Sequence, residues 1–370
     1  MVHIGLVTSK ETFARFGLFS LLFLMHGHQS WPAAQDDPRH LRVNVVLVQL
    51  NVAVTDSKGD YVTGLRPEDF LITEDKIPQK ISTFEENSDS GNNSIEIARR
   101  DQKSQSKDPA RASEANSSQA PEDPAGVAIS RAAESNVFIL FDTSNYMYRS
   151  FVFAQDAIAD FVRSMDNASN VAFYSYSRNL SRMAALTSDQ FRVVSGVRST
   201  VAGDDAALYN SLLLTVKDAA PLKGRKAIVV FSNGPDNASS VPPEDVAELA
   251  QSTGTIIYII STREAQDDPV SAAAFERVSK VSGGKAYFAR NWREETKAFA
   301  SIREDLVHLY TLSYYPQANP NRGWRTINVK LVGKDLQKYH IRTRDGYRLL
   351  PAVAASTDDY AGTGPDSQLK

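Results

Sequence analysis

VFILFDTSNYMYRS, residues 137–150, is the stretch whose reading decides the fold. Five apolar residues run straight into Asp142, and Thr143, Ser144, Asn145 and Tyr146 follow. A short, unbroken apolar run is the mark of a strand buried on both faces, as in a parallel sheet covered by helices. In such sheets ligands bind beyond the carboxyl ends of the strands. A carboxylate and hydroxyls at that position offer the oxygens that a hard cation takes.

Working outward, strands and helices alternate from residue 134 to about 308. Ala154, Ala157, Ile158, Phe161, Val162 and Met165 recur at helical spacing. NVAFYSYS is the next strand, SDQFRVVSGV a helix with a Ser/Asp start, and Leu208, Leu212, Leu213 and Val216 mark another helix. KAIVVFS is a strand, and PPEDVAELAQSTG is a helix opened by proline and closed by Gly254. TIIYIIS, a helix ending at Gly283, the strand KAYFA and a last helix through DLVHL complete the series. This order predicts an α/β fold, a doubly wound, mostly parallel sheet.

The flanks read differently. From Val48, the side chains Val48, Leu50, Val52 and Val54 alternate with Gln49, Asn51, Ala53 and Thr55, which is the period of a half-buried strand. Further short strands follow up to residue 86, with turns at Gly59, Gly64 and around Lys76. YTLSYYP, WRTINVKLVG and KYHIRTRDGYRL supply three more after residue 308. Neither set has enough strands to bury both faces alone, so segments 41–86 and 309–350 are expected to form one accessory β-sandwich. Residues 87–133 hold no aromatic residue and few apolar ones, and read as a disordered linker. Residues 351–370 read as a disordered tail.

Residues 1–34 carry the order of a secretory signal: Lys10 and Arg15, the run Phe16–Met25, then Ala33 and Ala34. That run is too short to span a bilayer, which takes about 20 residues. The expectation is export to the periplasm or beyond, with no membrane span after cleavage. The chain has no cysteine, which excludes disulfides, thiolate metal sites and cysteine nucleophiles. A net charge of −3 gives no general attraction to nucleic acid or anionic membranes.

With these pieces in order, the α/β segment resembles a von Willebrand factor A-type domain, and the whole resembles the bacterial VWFA-related family of acidobacterial type. The blocks that carry the likeness are VAVTDSKGDYVTGLRPEDFLITEDKIPQKISTFEE, GDDAALYNSL, KAIVVFSNGPDN, SGGKAYFA and LYTLSYYPQANPNRGWRTINVKL. The resemblance implies a metal-ion-dependent adhesion site: Asp-x-Ser-x-Ser after the first strand, a Thr in a later loop, and an Asp after a central strand, together holding Mg²⁺. This chain keeps the first two, Asp142 and Ser144. It has Tyr146 at the second serine, Ala206 at the threonine and Asn233 at the distal aspartate. Losing a charge and two hydroxyls weakens such a site. Two readings stay open: a degenerate site where Asp142 caps the turn or the following helix, and a repaired Mg²⁺ site using Asp142, Ser144 and Asp205.

Other chemistry finds little support. Outside residues 1–34 the histidines are His40, His308 and His340, and no G-x-S-x-G elbow occurs. SGGKAY lacks the phosphate-loop spacing and reads as a helix stop and turn. The expected function is a non-catalytic module that binds another protein at the cell envelope, with no cofactor. Its contact loops are expected to offer Asn145, Tyr146, Tyr148, Asp204, Asp205, Asn233 and Asp236 at the carboxyl edge of the sheet. A Mg-dependent adhesion domain and a periplasmic hydrolase are the alternatives.

Overall fold

A computed structural model describes residues 47–86, 93–96, 135–148, 151–165, 169–262 and 268–349. The expected signal segment 1–34 and tail 351–370 lie outside these residues, as does most of 87–133.

The central layer is a six-stranded sheet in the order β11-β10-β9-β6-β7-β8. Its strands are β6 (Ser135–Asp142), β7 (Ser169–Tyr176), β8 (Leu180–Thr187), β9 (Arg225–Ser232), β10 (Thr255–Ser261) and β11 (Ala286–Phe288). All pair in parallel except the edge strand β8, which runs antiparallel to β7. The apolar run of β6 is buried along its whole length, as a strand covered on both faces must be. Among the described residues, six helices flank the sheet: α1 (Phe151–Ser164), α2 (Gln190–Arg198), α3 (Leu208–Ala219), α4 (Pro243–Thr253), α5 (Pro269–Ser282) and α6 (Trp292–Val307). Helices α1 and α6 pack on one face with Phe141, Phe173 and Phe231, and α3, α4 and α5 on the other with Leu140, Val230 and Ile259. Gly254 and Gly283 end α4 and α5 at φ 69° and 89°, a left-handed backbone that favours glycine.

The accessory strands form two antiparallel sheets. One has the order β14-β1-β12-β4-β5, and the other β15-β13-β2-β3. They comprise β1 (Val48–Thr55), β2 (Phe70–Glu74), β3 (Ile77–Gln79), β4 (Ile81–Glu86) and β5 (Asn93–Glu96), with β12 (Tyr310–Tyr314), β13 (Trp324–Leu331), β14 (His340–Arg342) and β15 (Gly346–Arg348). The expected sandwich is present: β12 lies between β1 and β4, and β13 pairs with β2. Val48, Leu50, Val52 and Val54 meet Phe70, Ile72, Phe84, Tyr310, Leu312 and Tyr314 in one core. Asp75 and Lys76 turn the β2–β3 hairpin at φ 48° and 71°.

Three features depart from the sequence reading. The opposite face of β1 is not solvated: Asn51 and Ala53 are buried, and Ala53 joins the core of the α/β domain. Strand β8 was not anticipated, because only Ala184 of its eight residues is buried and no clean alternation marks it. Strand β5 falls inside the range read as a disordered linker and pairs antiparallel with β4. Backbone bonding at a sheet edge depends little on composition, so a polar segment can supply it.

Arginines tie the two parts together. Helix C-termini gather at the lower end of the sheet, where their last carbonyls attract cations. Arg344 donates to the carbonyls of Gln251 in α4 and Gln49 in β1. Arg342 donates to the Gly283 carbonyl at the end of α5 and pairs with Asp305. Arg225 donates to the Leu306 carbonyl in α6 at 2.7 Å and reaches across to the Thr311 hydroxyl of β12 at 3.4 Å. The sandwich therefore closes the lower end and leaves the carboxyl edge of the sheet as the open rim.

Candidate functional site

Strands β6, β7 and β9 end side by side at this rim, and they bring Asp142, Tyr176 and Ser232 together. The Asp142 carboxylate is fully buried. The Ser144 N–H donates to its Oδ1 at 2.9 Å, a turn made by an aspartate on its own backbone. The Ser232 hydroxyl donates to its Oδ2 at 2.9 Å and accepts from the Tyr176 hydroxyl at 3.1 Å. Burial pushes the Asp142 carboxyl above the usual carboxylate range, and these donors pull the other way. Burial also raises the Tyr176 phenol well above its ordinary value, with the nearby Asp142 charge adding to it.

The loops around this centre are bonded to one another. Gly203 N–H donates to the Thr143 carbonyl at 2.7 Å, and Asn145 N–H to the Asp204 carbonyl at 2.9 Å. A Cβ at residue 203 would collide with the Ser177 side chain, so the close approach of these loops favours glycine there. Thr143 donates from both its N–H and its hydroxyl to the Tyr176 carbonyl.

Asp236 takes a role that its position in sequence did not signal. Helix α3 begins after Ala207, which has no side-chain oxygen to cap it. Asp236 supplies the cap from another loop, accepting the Tyr209 N–H at 2.9 Å, and also accepts from Ser239 and Ala238. Asn210 does the reverse, accepting from the Ser240 and Val241 N–H groups.

The candidate residues thus separate into groups. Asp142, Ser144 and Asn233 are buried together at the strand ends, whereas Asn145, Tyr146, Tyr148 and Asp204 are exposed. Asp205 is bound to the Arg178 guanidinium, so the repaired set of Asp142, Ser144 and Asp205 meets a competing partner. Among the described residues, Ser144 Oγ and both ends of the Asn233 amide are buried with no partner in the protein. A divalent cation would find these two oxygens and the Asp142 carboxylate. That set falls short of what Mg²⁺ needs. It holds one carboxylate, already bonded on both oxygens, while the ion wants near-octahedral oxygen coordination and retains several waters. Ala206 adds no oxygen, Tyr146 is 48% exposed, and Asp142 and Ser144 have no solvent-accessible surface. No cluster of three or more metal-ligating acidic or histidine side chains occurs among the described residues.

The rim has a second character that the sequence disclosed only at Tyr146 and Tyr148. Seven of the thirteen large apolar side chains exposed among the described residues lie on it: Tyr146, Tyr148, Val152, Phe153, Val201, Val270 and Trp292. The helix starts, where polar residues are favoured, carry four of them. Among the described residues, the histidines are elsewhere. His308 caps α6 at the lower end, stacked on Tyr61 at 5.0 Å, and His340 is on the exposed side of β14. A groove of about 670 Å³ lies over the outer face of β2 and β13, lined by Leu71, Thr73, Lys76, Asn328 and Lys330. The one carboxylate there, Asp75, is engaged by Asn319, Asn321 and the Thr326 N–H.

Residues 136–301 match the family model of the von Willebrand factor type A domain, and the six-stranded sheet with its helices is that fold. Solved structures similar to the chain include the conserved hypothetical protein BatB from Bacteroides thetaiotaomicron, 16% identical, covering 46% of this chain and 97% of that one at a TM-score of 0.39. The vWF domain of the type V pili tip protein Mfa5 from Porphyromonas gingivalis is 12% identical, covering 47% and 95% at 0.42. A von Willebrand factor type A protein from Catenulispora acidiphila is 11% identical, covering 54% and 63% at 0.41. No curated protein matches the chain.

Proposed function

We propose that this chain is an exported, non-catalytic protein-recognition module of the bacterial VWFA-related kind, which takes its partner on the rim at the carboxyl edge of the α/β sheet. The observation that carries this reading is the concentration of exposed apolar and aromatic side chains on that rim. Tyrosine and tryptophan are favoured at interfaces because one side chain offers both apolar area and a hydrogen bond. The match of residues 136–301 to a von Willebrand factor type A domain supports it. So does the architecture, in which the sandwich occupies the lower end and the rim is left open. Export rests on the order of charge and hydropathy in residues 1–34. No helix among the described residues is long and apolar enough to cross a membrane.

The test is capture by the immobilised protein from an envelope extract, compared between wild type and two variants. Tyr146→Ala with Tyr148→Ala alters the rim, and Leu71→Ser with Lys330→Ser alters the groove on the sandwich. Loss of the captured band in the rim variant alone supports the reading. Loss in the groove variant alone, or in neither, refutes the placement of the partner. A specific observation keeps Mg²⁺-dependent adhesion as a second reading, namely the unpartnered oxygens of Ser144 and Asn233. Capture that a chelator abolishes would favour it.

A further inference from the structure

In the resemblance drawn from the sequence, one ion ties together three loops: that after β6, that before α3 and that after β9. Here the same three loops are joined by direct bonds. Ala206, at the position without a hydroxyl, is clasped through its backbone. Its N–H donates to Asn237 Oδ1 at 2.8 Å, and its carbonyl accepts from the N–H groups of Asn237 and Ala238 at 3.0 and 3.1 Å. This fixes the loop before α3 to the loop after β9, and the Asp236 cap on Tyr209 strengthens the same junction. The loop after β6 is held to the loop before α3 by Gly203 and Asn145, and to β9 by the chain Tyr176 to Ser232 to Asp142.

We infer that the Ala206–Asn237 clasp and the Tyr176–Ser232–Asp142 chain take over the work of the ion, so that the rim assembles in its final form without any divalent cation. Asn237 is then a positioning residue for the rim. It is exposed, while its amide oxygen does the holding. Reciprocal bonding of this kind satisfies the backbone groups of a loop that would otherwise depend on a ligand. The inference deepens the reading of the rim as a recognition surface, and it is tested without any partner, so the two can fail separately.

The experiment is amide hydrogen exchange, read by mass spectrometry or NMR, on the full chain dialysed against EDTA and then against millimolar Mg²⁺ or Mn²⁺. The expected result is that protection of the Gly203, Ala206, Tyr209 and Ala238 amides is the same in all three conditions. In Asn237→Ala, exchange at Ala206 should quicken about fivefold to tenfold, as for loss of one hydrogen bond, with the sheet amides of β6 and β9 unchanged. Two results overturn the inference. One is protection of these loops that rises with metal or falls with EDTA. The other is unchanged exchange at Ala206 in Asn237→Ala.

Discussion

Removal of the Asp305 side chain should uncouple the sandwich from the α/β domain. Asp305 lies on α6 with a side chain 1% exposed. It accepts the Tyr61 hydroxyl at 2.8 Å and pairs with Arg342 of β14, so both accessory segments converge on it. Asp305→Ala leaves the Arg342 cation and the Tyr61 hydroxyl without that acceptor. Breaking a fully buried pair costs about 3–5 kcal/mol. The Arg342 side chain is 28% exposed and keeps its bond to the Gly283 carbonyl, so partial solvation lowers the figure to about 2–3 kcal/mol. At about 2–4 °C per kcal/mol, the thermal midpoint should fall by about 5–10 °C. Urea unfolding followed by circular dichroism gives the free energies. The double variant Asp305→Ala with Arg342→Met should recover at least about 1 kcal/mol relative to the sum of the singles, since no unpaired charge then remains. A single variant that costs under about 0.5 kcal/mol, or a double variant that is simply additive, would refute the coupling.

Three further outcomes are expected. Asp236→Ala removes the cap on Tyr209 and the bonds to Ser239 and Ala238, and should cost about 1–2 kcal/mol in urea unfolding, the range for a lost helix cap; a change within experimental error would deny it that role. Asn233→Asp places a second carboxylate beside buried Asp142, so its thermal midpoint should drop in EDTA and rise again with Mn²⁺, whereas wild type stays level; equal behaviour of the two proteins would show that the missing charge does not decide metal affinity. The third concerns Lys226, whose ammonium is held down to about 8 by burial and by the nearby Arg344 charge. Between about pH 8 and 10 the unfolded chain then binds more protons at this site than the folded one, so the group makes stability rise with pH across that window. Lys226→Met should flatten the rise in midpoint from pH 8 to 10, and an unchanged slope would count against this assignment.

Much of the architecture was legible because its signals are local. The unbroken apolar run of residues 137–141 marks a strand covered on both faces, and alternation at Val48–Val54 marks one face of a sandwich. Gly254 and Gly283 mark helix ends through their backbone freedom. The absence of oxygens at Ala206 was equally plain from the residue itself. Less visible were features whose cause lies far along the chain. Strand β8 has little buried surface of its own, and the polar face of β1 is covered because Arg344 and α6 reach it.

By itself, then, the sequence determined the strands and helices with strong periodicity, though neither β5 nor β8, that the two β segments need each other, and which side chains at the rim lack a cation's oxygens. Periodicity and side-chain chemistry act within a few residues, so they can be read in one dimension. Only the tertiary structure decided that β12 lies between β1 and β4, that Asp236 caps a helix it does not precede, and that Asn237 clasps Ala206. Those outcomes depend on which donors and acceptors distant loops bring within about 3 Å, a condition that no local pattern encodes.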